Sequence, residues 1–173
     1  MSSRHRLGYA ALIVVVGVAL DQLTKEWALD RLGDGSRIEV LPTLEFDLAF
    51  NSGFSFSTGS GSGNLVGLLV IALSGFIAVQ IVREARPART WLYAVILGGA
   101  LGNLVDRIFR ADDGVLSGKV VDFIDVTWYA VFNVADMFVV CGCIAFVIDE
   151  LVHSRRTPKD EDNSPLETGT STG

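Results

Sequence analysis

Four apolar blocks of helical length leave a chain like this few ways to fold. They run from Leu7 to Trp27, Leu65 to Val82, Trp91 to Phe109 and Phe132 to Leu151. Where no water is present, every backbone N–H and C=O must be paired inside the structure, and a single segment achieves that only as a helix. The apolar residues come in runs rather than in amphipathic alternation, and mean hydropathy is +0.43, so the blocks read as membrane spans. The expected fold is an all-α membrane protein: four transmembrane helices with a small extracytoplasmic β-rich loop region. Residues 1–153 are expected to form one four-helix domain, with outer loops at about 33–64 and 110–131, and residues 154–173 a disordered cytoplasmic tail.

Basic residues orient the spans. Arg4 and Arg6 precede the first block, Arg83, Arg86 and Arg89 lie around the connection between the second and third, and Arg155, Arg156 and Lys159 follow the fourth. Such residues collect on the cytoplasmic side, which puts both termini inside. The basic start and its apolar run also have the outline of a cleavable signal peptide. The helical pattern continues through Asp21, Gln22, Lys25 and Trp27, however, and that suits a retained helix.

On this topology the polar interruptions fall at one depth. The first and third blocks carry Asp21 and the group Asn103, Asp106 and Arg107 toward their outer ends, and the fourth carries Asn133 and Asp136 at its start. Ionisable groups in an apolar segment are costly, and they point to function. Segments that are separate in sequence thus build one polar site near the outer face.

The stretch from Val120 to Asp136, VVDFIDVTWYAVFNVAD, supplies the chemistry. Two carboxyls held together in a partly dry site share one proton, because like charges at close range do not both ionise. Such a pair activates water against a peptide bond. Asp122 with Asp136 is the best pair, and Asp125 reads as a solvated acid. Asp21 and Lys25 are spaced i, i+4 with the acid first, and Asn133 and Asp136 are spaced i, i+3, so each pair shares a helix face. Ala94, Gly98 and Gly102 repeat every four residues as a packing stripe, within one chain or between chains. The neighbouring stripe of Gly99, Asn103 and Arg107 offers a bare backbone patch, an amide and a guanidinium. Asp106 lies off that face, free to pair with a nearby cation or to reach the headgroups.

The loop after the first span changes period. Phe46, Leu48 and Phe50 alternate with Glu45, Asp47 and Ala49 as a strand would, Asn51-Ser52-Gly53 carries turn chemistry, and Phe54-Ser55-Phe56 resumes the alternation as a candidate hairpin partner. Cys141 and Cys143 point to different sides of a helix, so they read as small buried apolar residues rather than as a disulfide.

In order along the chain stand Asp21-x-x-x-Lys25, Asn51-x-Gly53 followed by Phe56-Ser57, Gly98-Gly99-Ala100-Leu101-Gly102-Asn103-x-x-Asp106-Arg107, Val121-Asp122-Phe123, and Phe132-Asn133-x-Ala135-Asp136. This set resembles the lipoprotein signal peptidases, or signal peptidase II. The resemblance implies a membrane-embedded aspartic endopeptidase of the bacterial inner membrane that cleaves diacylglyceryl-modified prolipoproteins just before the lipidated cysteine. It implies Asp122 and Asp136 as the catalytic residues, with Asp21, Lys25, Asn51, Gly53, Gly99, Asn103, Arg107 and Asn133 lining or supporting the site. The expected partners are prolipoprotein substrates and membrane lipid; no nucleic acid, cofactor or metal is expected, and the chain is expected to be a monomer. One departure stands out. Phe54 and Ser55 occupy positions where the family usually has small residues, so the substrate contacts of that loop stay open.

Two other readings compete. One is a metal-dependent enzyme acting on lipid phosphate, with Asp122, Asp125 and Asp136 as oxygen ligands for a hard cation. The other is a small proton-coupled transporter, against which the charges cluster near one face rather than at the midplane.

Overall fold

A computed structural model describes residues 2–53, 62–111 and 114–154. The Phe54–Phe56 segment, with its Phe54–Ser55 departure, and the polar tail lie outside the described residues. The chain runs α1 (Ser3–Leu32), β1 (Ile38–Leu41), β2 (Leu44–Asn51), α2 (Ser62–Arg83), α3 (Pro87–Phe109), β3 (Val120–Val126) and α4 (Val134–Ser154). It is mostly helical, with one small antiparallel sheet. Three of the helices, α1, α2 and α3, are long and apolar enough to cross a membrane.

Helix α3 is the axis of the bundle. It packs against α1, α2 and α4, whereas α2 and α4 make no contact with each other among the described residues. Pro87 stands in its first turn, where the missing N–H leaves no helix bond unmade. Beyond a central layer formed by Ala10, Ile77, Ile81, Ala94, Ile96 and Leu97, large apolar side chains face outward, among them Leu12, Val15, Leu68, Phe76, Val140 and Ile144. Such a surface suits hydrocarbon surroundings, where an outward leucine costs nothing. The same reason corrects the reading of the cysteines: Cys141 and Cys143 are free, as expected, but exposed on the outside of α4 rather than buried.

The small-residue stripe on α3 packs within the chain. A side-chain carbon on Gly98 would lie 3.4 Å from the Val14 carbonyl oxygen of α1, and Ala94 is completely buried. Helix α1 continues beyond the expected end at Trp27, because its last turns have their own core to enter. Ala28 and Leu32 pack with Phe123 beneath the sheet, and Trp27 meets Phe46 edge-on at 5.3 Å between ring centres.

The sheet order is β1-β2-β3, all antiparallel, with β2 in the middle. The alternation at Glu45–Phe50 does form a strand, but its partners are β1 just before it and β3 from far along the chain. Ala49 faces Asp122 in the β2–β3 register. After β3 the chain turns, and Phe132 comes back beside Ile124, donating its N–H to the Ile124 carbonyl at 3.1 Å. That return delivers Asn133 to the side of Asp122. Helix α4 begins only at Val134, so Phe132 and Asn133 precede it rather than belonging to its first turn.

Candidate active site

Asp122 stands on β3 with 2% of its surface exposed, and two amides hold its carboxylate. The Asn133 side chain donates to Oδ1 at 2.6 Å and the Asn51 side chain to Oδ2 at 3.0 Å. Asn51 is itself fixed by the tight turn expected of Asn51-Ser52-Gly53: its Oδ1 accepts the Gly53 N–H at 2.8 Å, and Gly53 has φ +99°, a region that favours glycine.

Asp136 belongs to the first turn of α4. The Asn133 Oδ1 accepts the Asp136 N–H at 3.0 Å while the Asp136 Oδ2 accepts the Asn133 N–H at 3.2 Å, a reciprocal cap that satisfies two otherwise orphaned donors. The remaining Asp136 oxygen accepts from Asn103 Nδ2 at 2.8 Å. Asp21 reaches the same helix end, where its Oδ1 accepts the Ala135 N–H at 3.0 Å. Two carboxylates therefore sit at the positive end of the α4 dipole.

Two asparagines join the pair. Asn133 Nδ2 points to Asp122 and also to Asn103 Oδ1 at 3.0 Å, and that same oxygen accepts from Lys25 Nζ at 3.0 Å. Lys25 is fully buried between Asp21 at 2.8 Å and Asp106 at 2.9 Å. Arg107, also buried, donates to the Ser52 carbonyl at 3.5 Å and lies within Coulombic reach of Asp122 and Asp136.

Glycines on α3 make the approach possible. A side-chain carbon on Gly102 would meet Asp21 Oδ2 at 2.6 Å, and one on Gly99 would run into the Ala135 carbonyl oxygen. Gly99 is thus covered by the first turn of α4 rather than offering an open backbone patch, which corrects the expectation for that stripe. It supports the site by letting α4 in.

Burial above all, with the Asp136 charge adding to it, pushes the Asp122 carboxyl up to about 6, although the hydrogen bonds from Asn51 and Asn133 and the charge of Lys25 pull the other way. The charge balance agrees. The acids Asp21, Asp106, Asp122 and Asp136, with Glu26 behind Arg110, outnumber the cations Lys25, Arg107 and Arg110. A proton shared by Asp122 and Asp136 would reduce that excess.

All ten residues singled out from the sequence fall into this one network: Asp21, Lys25, Asn51, Gly53, Gly99, Asn103, Arg107, Asp122, Asn133 and Asp136. Asp106 and Gln22, which were not among the expected site residues, are also bonded into it. Of the two fates open to Asp106, the structure shows pairing with cations, Lys25 at 2.9 Å and Arg110 at 3.1 Å. Asp125 goes elsewhere, to a half-exposed group with Glu45 and Asp47 whose carboxylate oxygens lie within 4.8 Å of one another. Arg37 pairs with two of those acids, at 3.2 and 2.9 Å. The ligand set that the metal-dependent reading requires is therefore split between two places.

The family model and the relatives of known function agree on one family. The family model described as signal peptidase (SPase) II matches residues 13–152. The lipoprotein signal peptidase of Bifidobacterium adolescentis is 40% identical over 162 residues, spanning 93% of this chain and 86% of that protein. That of Rhodococcus jostii is 40% identical over 148 residues, 82% of this chain and 72% of its own length. A solved structure, described as a bacterial membrane enzyme determined by the in meso method at 2.3 Å resolution, superimposes with a TM-score of 0.73 at 27% identity, covering 90% of this chain and 95% of that one.

Proposed function

Since this chain belongs to the signal peptidase II family, a family of lipoprotein-processing membrane peptidases, we propose that it is an aspartic endopeptidase with Asp122 and Asp136 as its catalytic pair. The substrate is a prolipoprotein carrying a diacylglyceryl group on the cysteine that follows the scissile bond. The observation that carries the reading is the joining of two carboxylates from β3 and α4 through Asn133 and Asn103.

In this mechanism the pair holds one proton. Burial favours the protonated form at Asp122, and the mechanism assigns the proton to the pair as a whole. The ionised carboxylate takes a proton from water as the water oxygen attacks the carbonyl preceding the lipidated cysteine. The protonated carboxyl donates to that carbonyl oxygen. Collapse of the tetrahedral species breaks the C–N bond: the leaving amine takes a proton from one carboxyl while a hydroxyl of the tetrahedral species returns its proton to the other carboxylate, so the pair again holds one proton. Arg107 and the amides of Asn103 and Asn133 line this site, and their fixed dipoles favour the charge that develops there. No nucleophilic side chain is needed.

Helix α4 is the fourth membrane crossing in this reading, residues 1–153 are one peptidase domain, and both termini face the cytoplasm of a bacterial inner membrane. The site then lies near the outer face. Acyl chains stay in lipid while the peptide bond meets interfacial water. Lys25, with Asp21, orients Asn103 from behind; Asn51, Gly53 and Gly99 hold the loop and α4 in place.

The test is cleavage of a diacylglyceryl-modified prolipoprotein in detergent. Asp122→Asn and Asp136→Asn should each lower the rate by about a thousandfold or more in protein that still melts cooperatively, and EDTA should leave the unmodified chain unaffected. Near-normal cleavage by either variant would overturn the pair; silencing by EDTA would favour the metal-dependent reading.

A further inference from the structure

Asp106 has no part in the steps above, yet it is fully buried and its carboxylate is saturated. Oδ2 accepts from Lys25 Nζ at 2.9 Å and from the Val121 N–H at 3.1 Å, while Oδ1 accepts from Gln22 Nε2 at 3.2 Å and from Arg110 Nε at 3.1 Å. Four donors from α1, β3 and the end of α3 converge on one acid, which is about what an ionised carboxylate can accept.

Two of those bonds lead to the catalytic pair. Val121 immediately precedes Asp122, so the bond to its N–H sets how far β3 lies from α3. Lys25 passes the other constraint on, since its ammonium holds Asn103 Oδ1 at 3.0 Å and Asn103 holds Asp136 at 2.8 Å. The strand that carries one catalytic acid and the amide that grips the other are thus anchored to the same side chain. We propose that Asp106 is a positioning residue that fixes Asp122 and Asp136 relative to each other and tunes the charge they experience. The inference rests on Asp122 and Asp136 being the catalytic pair.

The charge argument gives Asp106 a signature that mere structural support lacks. The charged groups around it are Asp21 and Lys25 on α1, with Glu26 behind Arg110; Arg107 and Arg110 at the end of α3; Asp122 on β3; and Asp136 on α4. Lys25 is shared between Asp21 and Asp106. Without the Asp106 charge, less negative potential reaches the pair and more of the Lys25 charge does. Ionisation of the pair then becomes easier, and both limbs of its pH–rate profile move to lower pH. Removing Arg110 has the opposite sign, and a smaller size because that side chain is 27% exposed.

The experiment measures kcat and KM for prolipoprotein cleavage across pH for the unmodified protein, Asp106→Asn, Arg110→Gln and Asp122→Asn. Asparagine keeps the bonds at one oxygen and sets a donor against donors at the other. Asp106→Asn is expected to lower kcat by about 10- to 100-fold with KM changed by less than about twofold. Both limbs should move down by on the order of one pH unit. Arg110→Gln should move them up by a few tenths. A uniform loss at every pH, or a raised KM with kcat kept, overturns the proposal. If Asp106→Asn does not fold in detergent, Arg110→Gln decides: an upward shift supports it and unmoved limbs overturn it. Cleavage by Asp122→Asn would instead remove the catalytic pair itself, so the two failures are distinct.

Discussion

Asp122 and Asp125 are the same side chain three positions apart on one strand, and the structure gives them opposite surroundings. Side chains alternate along a strand, so an odd spacing puts them on opposite faces. Asp122 turns toward the helices, is 2% exposed, and meets the amides of Asn51 and Asn133. Asp125 is half-buried, stands directly opposite Glu45 across the ladder, and shares its neighbourhood with Asp47. Like charges opposite one another are unfavourable, and Arg37 offsets part of that repulsion by pairing with Glu45 and Asp47. Neither residue type nor position near a membrane span separates the two acids. Desolvation and a set of neutral donors do.

The contrast breaks most completely if Asp122 loses its amides. Asn133→Ala removes the 2.6 Å bond to Asp122, the link to Asn103 and the side-chain half of the cap on α4. Cleavage should fall by about 100- to 1000-fold, and loss of the cap should cost about 1 kcal/mol of stability. Rate assays and thermal melts in detergent check both. Activity within a few-fold of normal would mean that the Asn133 amide adds nothing to the chemistry beyond burial and the remaining Asn51 bond.

A pH series sharpens the same comparison. An acid whose folded-state value is raised binds its proton more tightly when folded. Its stabilising contribution is therefore complete below its unfolded value of 3.8 and is lost as pH rises through about 6. The rise from 3.8 to about 6 corresponds to on the order of 3 kcal/mol. The stability of the unmodified protein relative to Asp122→Asn should accordingly decline between about pH 4 and pH 7. A difference that stays flat over this range, in melting temperatures taken at each pH, would show that Asp122 is not held as a buried acid.

Much of this was open to a reader of the sequence, because carboxylates in apolar segments stand out. Asp21, Asp122 and Asp136 were found that way, and helical spacing correctly paired Asp21 with Lys25. What stayed hidden depended on contacts across the chain. The Glu45–Phe50 alternation marks a strand but not its partner, and the register that sets Ala49 against Asp122 joins segments that sequence alone does not bring together. Asp106 lies off the stripe of Gly99, Asn103 and Arg107 by spacing, and the cation open to it proves to be Lys25 on another helix, with β3 reaching it as well. Small apolar cysteines suggest burial, yet Cys141 and Cys143 lie on the exposed side of α4, beside outward apolar residues such as Val140 and Ile144.

The smallest expected effect belongs to the other side of the strand. Asp125→Asn removes one charge from a group of three acids, of which two already pair with Arg37. It leaves the bonds of Asp122 untouched, because the substituted side chain points the other way. Cleavage should stay within about twofold of normal, and stability should change by no more than about 0.5 kcal/mol, with a slight gain favoured since Glu45 then faces a neutral partner. The same variant discriminates between chemistries. An enzyme that used Asp125 as a cation ligand would lose activity heavily and would recover some of it at high concentrations of a divalent ion, whereas a carboxyl pair made of Asp122 and Asp136 responds to neither change. Assays of Asp125→Asn with added magnesium and with EDTA would therefore test the separation of the two faces where it is most exposed to failure: a large loss at this position would mean that β3 does not divide a reactive acid from a bystander.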